Sequence, residues 1–144
     1  MNDERQALRE LADAYAIGVD TRDRELFASL WIDGAHLVGY RNGRDQPPTM
    51  DLEMPRGTSM VMKAIAPYAT TLHLVSTQRV QIDGDRASGF TYCEAHHVEG
   101  SNDHVMAIRY EDTYRRDDGT WRFDRREVHI LWTKDHQVTV GGAG

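Results

Sequence analysis

Ala14-Tyr15-Ala16-Ile17-Gly18-Val19-Asp20-Thr21-Arg22-Asp23 closes the first amphipathic stretch of the chain, and its reading decides how the fold begins. Leu8, Leu11, Ala12, Tyr15, Ala16 and Val19 recur at helical spacing, while Glu4, Arg5, Arg9, Glu10 and Asp13 take the opposite side. The pattern predicts a helix of about four turns. Tyr15 and Asp20 would diverge by about 140° on a continuing helix. Gly18 is therefore read as the point where the helix ends, so that both side chains turn into one pocket.

Beyond it, Thr21 or Asp23 can cap a second helix through Leu26, Phe27, Leu30 and Trp31, stopped by Asp33-Gly34. Ala35 to Tyr40 reads as a short strand. Arg41 to Pro55, rich in Gly, Pro, Asp and Asn, reads as a long loop or lid. Met60, Val61, Ala64 and Ile65 place a third helix within Gly57 to Tyr68. From Thr70 the period changes to that of strands: Thr70 to Ile82, Arg86 to Val98, His104 to Arg116 and Trp121 to Thr133. Asp83-Gly84-Asp85, Glu99-Gly100-Ser101-Asn102-Asp103 and Asp117-Asp118-Gly119 join them as hairpins. Helices followed by long hairpins predict an α+β fold, a curved antiparallel sheet wrapped around N-terminal helices. One domain spans 1–137, and Val138 to Gly144 is expected to be a mobile tail.

The chain has 144 residues, enough for one core, with 17 basic against 23 acidic residues and a formal charge of -6. Without a basic run it offers no electrostatic footprint for nucleic acid. The expected partner is a small hydrophobic molecule. A single cysteine, Cys93, excludes an internal disulfide framework and suits a reducing compartment. The charged N-terminus lacks an apolar signal core, and no apolar run approaches the roughly 18 residues of a membrane span. The expectation is a cytoplasmic protein with no membrane partner.

Strand parity nominates the candidate site residues. Arg126 alternates onto one face with Val128, Ile130 and Trp132, so these three are expected to line a cavity and Arg126 to meet a buried acid or an anion there. His73, between Leu72 and Leu74, is the candidate base. Imidazole titrates near neutrality, and a carboxylate such as Asp20 on its other nitrogen would fix the tautomer and support the cation. Tyr15 and Tyr40 are the candidate hydroxyl donors. Of the adjacent pair His96-His97 only one can face inward, and parity with Phe90 and Tyr92 selects His96. No HxH, HxxxH or HExxH spacing occurs and the carboxylates are not grouped with the histidines, so no metal is expected. Phosphate-loop, nucleotide and nucleophile-elbow motifs are missing as well, which leaves cofactor-free chemistry.

In the order of its motifs the chain resembles the SnoaL-like branch of the NTF2-like superfamily. Leu11-x-x-x-Tyr15-x-x-x-Val19-Asp20-x-Arg22-Asp23, Tyr110-x-Asp112-x-Tyr114-x-Arg116 and Gly119-x-Trp121-x-Phe123 carry that resemblance over nearly the whole chain. It implies a cone-shaped α+β barrel around an apolar pocket. Within the superfamily it is most similar to cofactor-free lyases: scytalone dehydratase, bile-acid 7α-dehydratase and γ-hexachlorocyclohexane dehydrochlorinase. Their aspartate and histidine fall on Asp20 and His73, a helical tyrosine on Tyr15, a strand tyrosine one residue from Tyr40, an arginine on Arg126 and a second histidine near His96. The dehydrochlorinase's helical lysine is Tyr15 here, and the base of ketosteroid isomerase falls near Gly39. The resemblance implies a dehydratase or dehydrohalogenase. The alternatives are a non-catalytic binding module and a polyketide cyclase or isomerase-like enzyme. A homodimer through the outer sheet face is expected, using Trp121, Phe123 and Leu131.

Overall fold

The apolar stripe of the opening stretch forms α1 (Glu4–Asp20) in the computed structural model, which describes residues 3–141. There follow α2 (Arg24–Ser29), β1 (Trp31–Tyr40), β2 (Met50–Met54), α3 (Thr58–Ile65), β3 (Thr70–Asp83), β4 (Arg86–Glu99), β5 (Asn102–Asp117) and β6 (Thr120–Gln137). The strands form one curved sheet in the order β2-β1-β6-β5-β4-β3. It is an α+β fold with a meander from β3 to β6, to which β1 adds in parallel beside β6. The sheet is not closed: β2 and β3 are its edges, so the expected barrel is an open, curved half.

Helix α1 fills the hollow of that curve. Leu8, Leu11, Tyr15 and Val19 are buried with Phe27, Trp31, Leu37, Tyr110, Tyr114 and Phe123 in one core. Polar ties fix its height above β3: the Arg9 guanidinium donates to the Ser76 and Val75 carbonyls at 2.7 and 3.1 Å, and Arg5 donates to the Val80 carbonyl at 2.9 Å. Bulges between Val75 and Gln78, Ala107 and Ile108, and Thr113 and Tyr114 bend the long strands around the helix.

Several expectations need correction. Gly18 does not end α1, which runs on to Asp20. A Cβ at Gly18 would lie 3.2 Å from that of Phe27, so the glycine serves close approach between α1 and α2. The chain turns only at Arg22, whose φ of 59° lies in the left-handed region. Of the two candidate caps, Asp23 acts, accepting from the Leu26 amide at 3.0 Å. Trp31 belongs to β1 and not to α2, because its backbone pairs with Phe123. The stretch read as an uninterrupted loop holds β2, in which Met50 to Met54 pair antiparallel with Gly39 to Ala35. Trp121 and Phe123 are buried in the core and cannot face a partner chain, whereas Leu131 is exposed. Of the expected tail, the Val138 amide donates to the Ser101 carbonyl at 2.8 Å, and residues 142–144 lie outside the described residues. No helix among the described residues is long and apolar enough to cross a membrane.

Candidate active site

Asp20 ends α1 with its side chain directed at the first turn of β3. Its Oδ2 accepts the His73 backbone amide at 2.8 Å, and its Oδ1 accepts the Thr71 hydroxyl at 2.9 Å and lies 2.7 Å from His73 Nδ1. Thr71 and His73 are alternate residues of one strand, so both face the helix end. Burial works against the Asp20 charge, but the bonds from the His73 ring and amide and from Thr71 outweigh it. The carboxyl is held below its ordinary range. A carboxylate at Nδ1 places the ring proton there and leaves Nε2 with its lone pair free to accept.

Sequence reasoning missed two supports of this arrangement. Thr71 is one: it lies two residues before His73 on the same face, a spacing that marks it as a partner of the same carboxylate. Arg22 donates to the Thr71 hydroxyl at 2.7 Å and to the carbonyls of Val19 and Tyr68 at 2.8 and 2.9 Å, locking the helix end to the sheet and to the segment after α3.

His73 borders a cavity of about 320 Å³ between the sheet, the end of α1, β2 and α3. Its walls are apolar: Leu37, Leu52, Val61, Ile65, Met106 and Ile108 contribute, with Val128 and Ile130 as expected from their parity. Tyr15 lines it too, and burial pushes its phenol up to about 12, so the hydroxyl stays protonated at any physiological pH.

Other candidates are placed differently. Trp132 is 53 % exposed and does not border the cavity. Ile130 pairs with Ile108 but Trp132 pairs with Ala107, so Leu131 is an extra residue that turns Trp132 to the outer face. His97, not His96, borders the cavity. In β4 it is Thr91, Cys93, Ala95 and His97 that are buried, whereas Phe90 and Tyr92, the aromatics that suggested the opposite parity, pack on the outer face near Arg109. The His97 ring meets His73 edge-on at 5.6 Å between centroids and directs Nδ1 to the His104 carbonyl at 3.2 Å. Burial lowers its pKa, which favours the neutral ring.

Tyr40 is a residue of the cavity border, but its ring stacks on His129 at 4.7 Å, and His129 pairs with Arg109 on the outer face, so the expected hydroxyl donor is turned away from the cavity. Arg126, with 0 % exposure, lies beneath the cavity and meets the buried acid Asp112, Nε to Oδ1 at 2.9 Å and Nη2 to Oδ2 at 3.3 Å. The rings of Tyr110, Tyr15 and Phe123 surround its guanidinium at 3.6, 4.3 and 4.5 Å. Nη1 has no protein partner among the described residues.

The reading that carboxylates keep away from histidines is also corrected. Strand pairing brings His96, Asp103 and His136 together, and likewise Glu111, Glu127 and His129. Neither grouping is visible as a local spacing, because its members come from different strands.

The chain is similar in sequence and in fold to known proteins. A hexachlorocyclohexane dehydrochlorinase 1 of Sphingobium indicum is 27% identical over 124 residues, covering 84% of this chain and 77% of that protein. A gamma-hexachlorocyclohexane dehydrochlorinase of the same species is 30% identical over 127 residues, covering 86% and 78%. Among solved structures, a type 2 hexachlorocyclohexane dehydrochlorinase superposes with a TM-score of 0.80 at 23% identity, over 96% of this chain and 94% of that one. A candidate scytalone dehydratase of Novosphingobium aromaticivorans gives the same TM-score at 21% identity, over 98% and 95%. Residues 2–127 match the family described as the SnoaL-like domain, and with the fold in agreement over nearly its full length, the chain belongs to that family.

Proposed function

We propose that this protein is a cofactor-free lyase that eliminates a hydroxyl or halide from a small hydrophobic molecule, with Asp20 and His73 as its general base. The observation that carries this reading is the 2.7 Å contact between Asp20 and His73 Nδ1 at the wall of an apolar cavity. In the proposed step Nε2 takes a proton from carbon, the C–H electron pair becomes the new double bond, and the leaving group departs from the adjacent carbon with its own pair. Asp20 stabilises the imidazolium, and the Tyr15 phenol donates a hydrogen bond to the leaving atom. A halide leaves as the anion; a hydroxyl leaves as water, taking back from the His73 imidazolium the proton that Nε2 accepted from carbon. Acid–base assistance of this kind contributes about 10²–10⁴-fold per group.

The relatives named as dehydrochlorinases support elimination as the reaction class. Tyr15 stands where the resemblance puts that enzyme's lysine, so a neutral donor replaces a cationic one, and a hydroxyl leaving group is the better match. A binding module would have no use for a carboxylate holding a cavity imidazole in one tautomer. We infer in addition a cytoplasmic homodimer through the outer sheet face, where Leu131, alone of its three expected contact residues, is exposed. The test is a panel of apolar ring compounds bearing β-hydroxyl or chloro groups, gamma-hexachlorocyclohexane included, followed for alkene formation and chloride release. Turnover that disappears in His73→Ala supports the proposal; ligands that bind in the cavity and are recovered unchanged refute it.

A further inference from the structure

On the outer face of the sheet, opposite the cavity, two imidazoles converge on one buried carboxylate oxygen. Asp103 Oδ2 lies 2.6 Å from His96 Nδ1 and 3.0 Å from His136 Nε2, and the three atoms belong to β5, β4 and β6 respectively. Asp103 is paired directly with His136 across the β5–β6 ladder, while His96 approaches diagonally from β4. Asp103 is 3 % exposed, and the other oxygen of its carboxylate accepts the His97 backbone amide at 3.2 Å, which fixes its direction. On the far side of the His96 ring, Nε2 lies 2.7 Å from Glu94 Oε2.

We propose that His96, Asp103 and His136 bind a divalent transition-metal ion of the zinc type, with Glu94 as the carboxylate that orients the His96 ring. Two imidazole nitrogens and a carboxylate oxygen are a donor set suited to zinc. At metal–ligand distances of about 2.0–2.2 Å, tetrahedral donors stand about 3.3 Å apart. Asp103 Oδ2 stands 2.6 Å from His96 Nδ1 and 3.0 Å from His136 Nε2, so an ion that replaces the hydrogen bonds needs each imidazole to move back by about 0.3–0.7 Å. A ligating histidine characteristically gives its second N–H to a carboxylate, which is the place Glu94 occupies. The fourth position faces solvent beside His136 and would be taken by water.

The second group of this kind, Glu111, Glu127 and His129, lacks these qualities. Its carboxylates are occupied by Arg44, Arg109 and Arg125, cations that compete with any metal. Asp103 takes only an amide and two imidazoles as partners among the described residues. An ion there would clasp β4, β5 and the last turn of β6 together, so the site is structural and its occupancy independent of the chemistry proposed for the cavity.

The experiment is calorimetric titration of tag-free protein with ZnCl2 at neutral pH, with the visible spectrum of the Co2+ form recorded in parallel. The expected result is one ion per chain at micromolar or tighter affinity, a four-coordinate Co2+ spectrum and a raised melting temperature. His136→Ala, at a half-exposed strand end where the fold tolerates it, should weaken binding roughly a hundredfold. Glu94→Gln should weaken it about 10- to 100-fold. His36→Ala, which breaks the exposed pair of His36 with Asp51, should leave it unchanged. Zinc bound no better than millimolar, or bound equally by wild type and His136→Ala, overturns the proposal and leaves a hydrogen-bonded His–Asp–His cluster.

Discussion

Asp20 grips His73 at two places, the ring through Oδ1 at 2.7 Å and the main chain through Oδ2 at 2.8 Å. One carboxylate thus sets both the tautomer of the imidazole and the position of its strand. Asp20→Asn keeps the shape but makes one end of the group a donor, so it cannot accept at every contact. The expected outcome is a fall in kcat of about 10²-fold or more with little change in KM, since an orienting group acts mainly on the proton-transfer step. Steady-state kinetics on an active substrate check this. In parallel, nitrogen-15 NMR should show the His73 Nδ1–H signal of the wild type weakened or moved in the variant.

The depressed Asp20 pKa ties stability to acidity. A carboxyl whose folded pKa lies below its unfolded value of about 3.9 contributes fully above that value, and the contribution disappears as pH falls through the folded pKa. Thermal melts should show wild type more stable than Asp20→Asn above about pH 5. As pH falls below about 4 the margin should shrink, closing only beneath the lowered folded pKa of Asp20.

Beneath the cavity, Arg126 and Asp112 are both fully buried and are each other's counter-charge. Asp112→Ala strands a guanidinium among aromatic rings and should cost about 3–5 kcal/mol. Replacing both members by apolar residues of similar volume should cost far less, as the burial of two charges is removed together. Urea denaturation of the single and double variants gives the comparison.

The bulge at Leu131 separates neighbours that simple alternation would place together. Ile130→Trp should fill part of the cavity and abolish binding of apolar ligands, while Trp132→Ala, on the outer face, should leave that binding within about twofold. Fluorescence titration with an environment-sensitive apolar probe distinguishes the two faces.

Much of this was legible because the signals were local. The apolar stripe of α1, the Gly-containing hairpin turns and the parity of Val128 and Ile130 each follow from a period of a few residues. Exposed Leu72 and Leu74 on either side of His73 run against the simple rule that apolar residues point inward, yet the histidine still faces the cavity. Other features depended on distant partners. β2 is short and set among turn residues, and only its ladder with β1 makes it a strand. Phe90 and Tyr92 looked like core residues, but the inner face of β4 is built from the small Thr91, Cys93 and Ala95, which leave room for α1. That single parity choice decides between His96 and His97. A bulge is likewise unreadable without the opposing strand, which is why Trp132 was expected in the cavity and the His96, Asp103 and His136 group was not expected at all.

The most direct measurement is the rate of elimination by His73→Ala relative to wild type on one shared substrate, with melting temperatures measured on the same samples. A proton-accepting role for His73 predicts a loss of at least about 10²-fold at an unchanged melting temperature. Activity retained within about tenfold by a folded His73→Ala protein would contradict it.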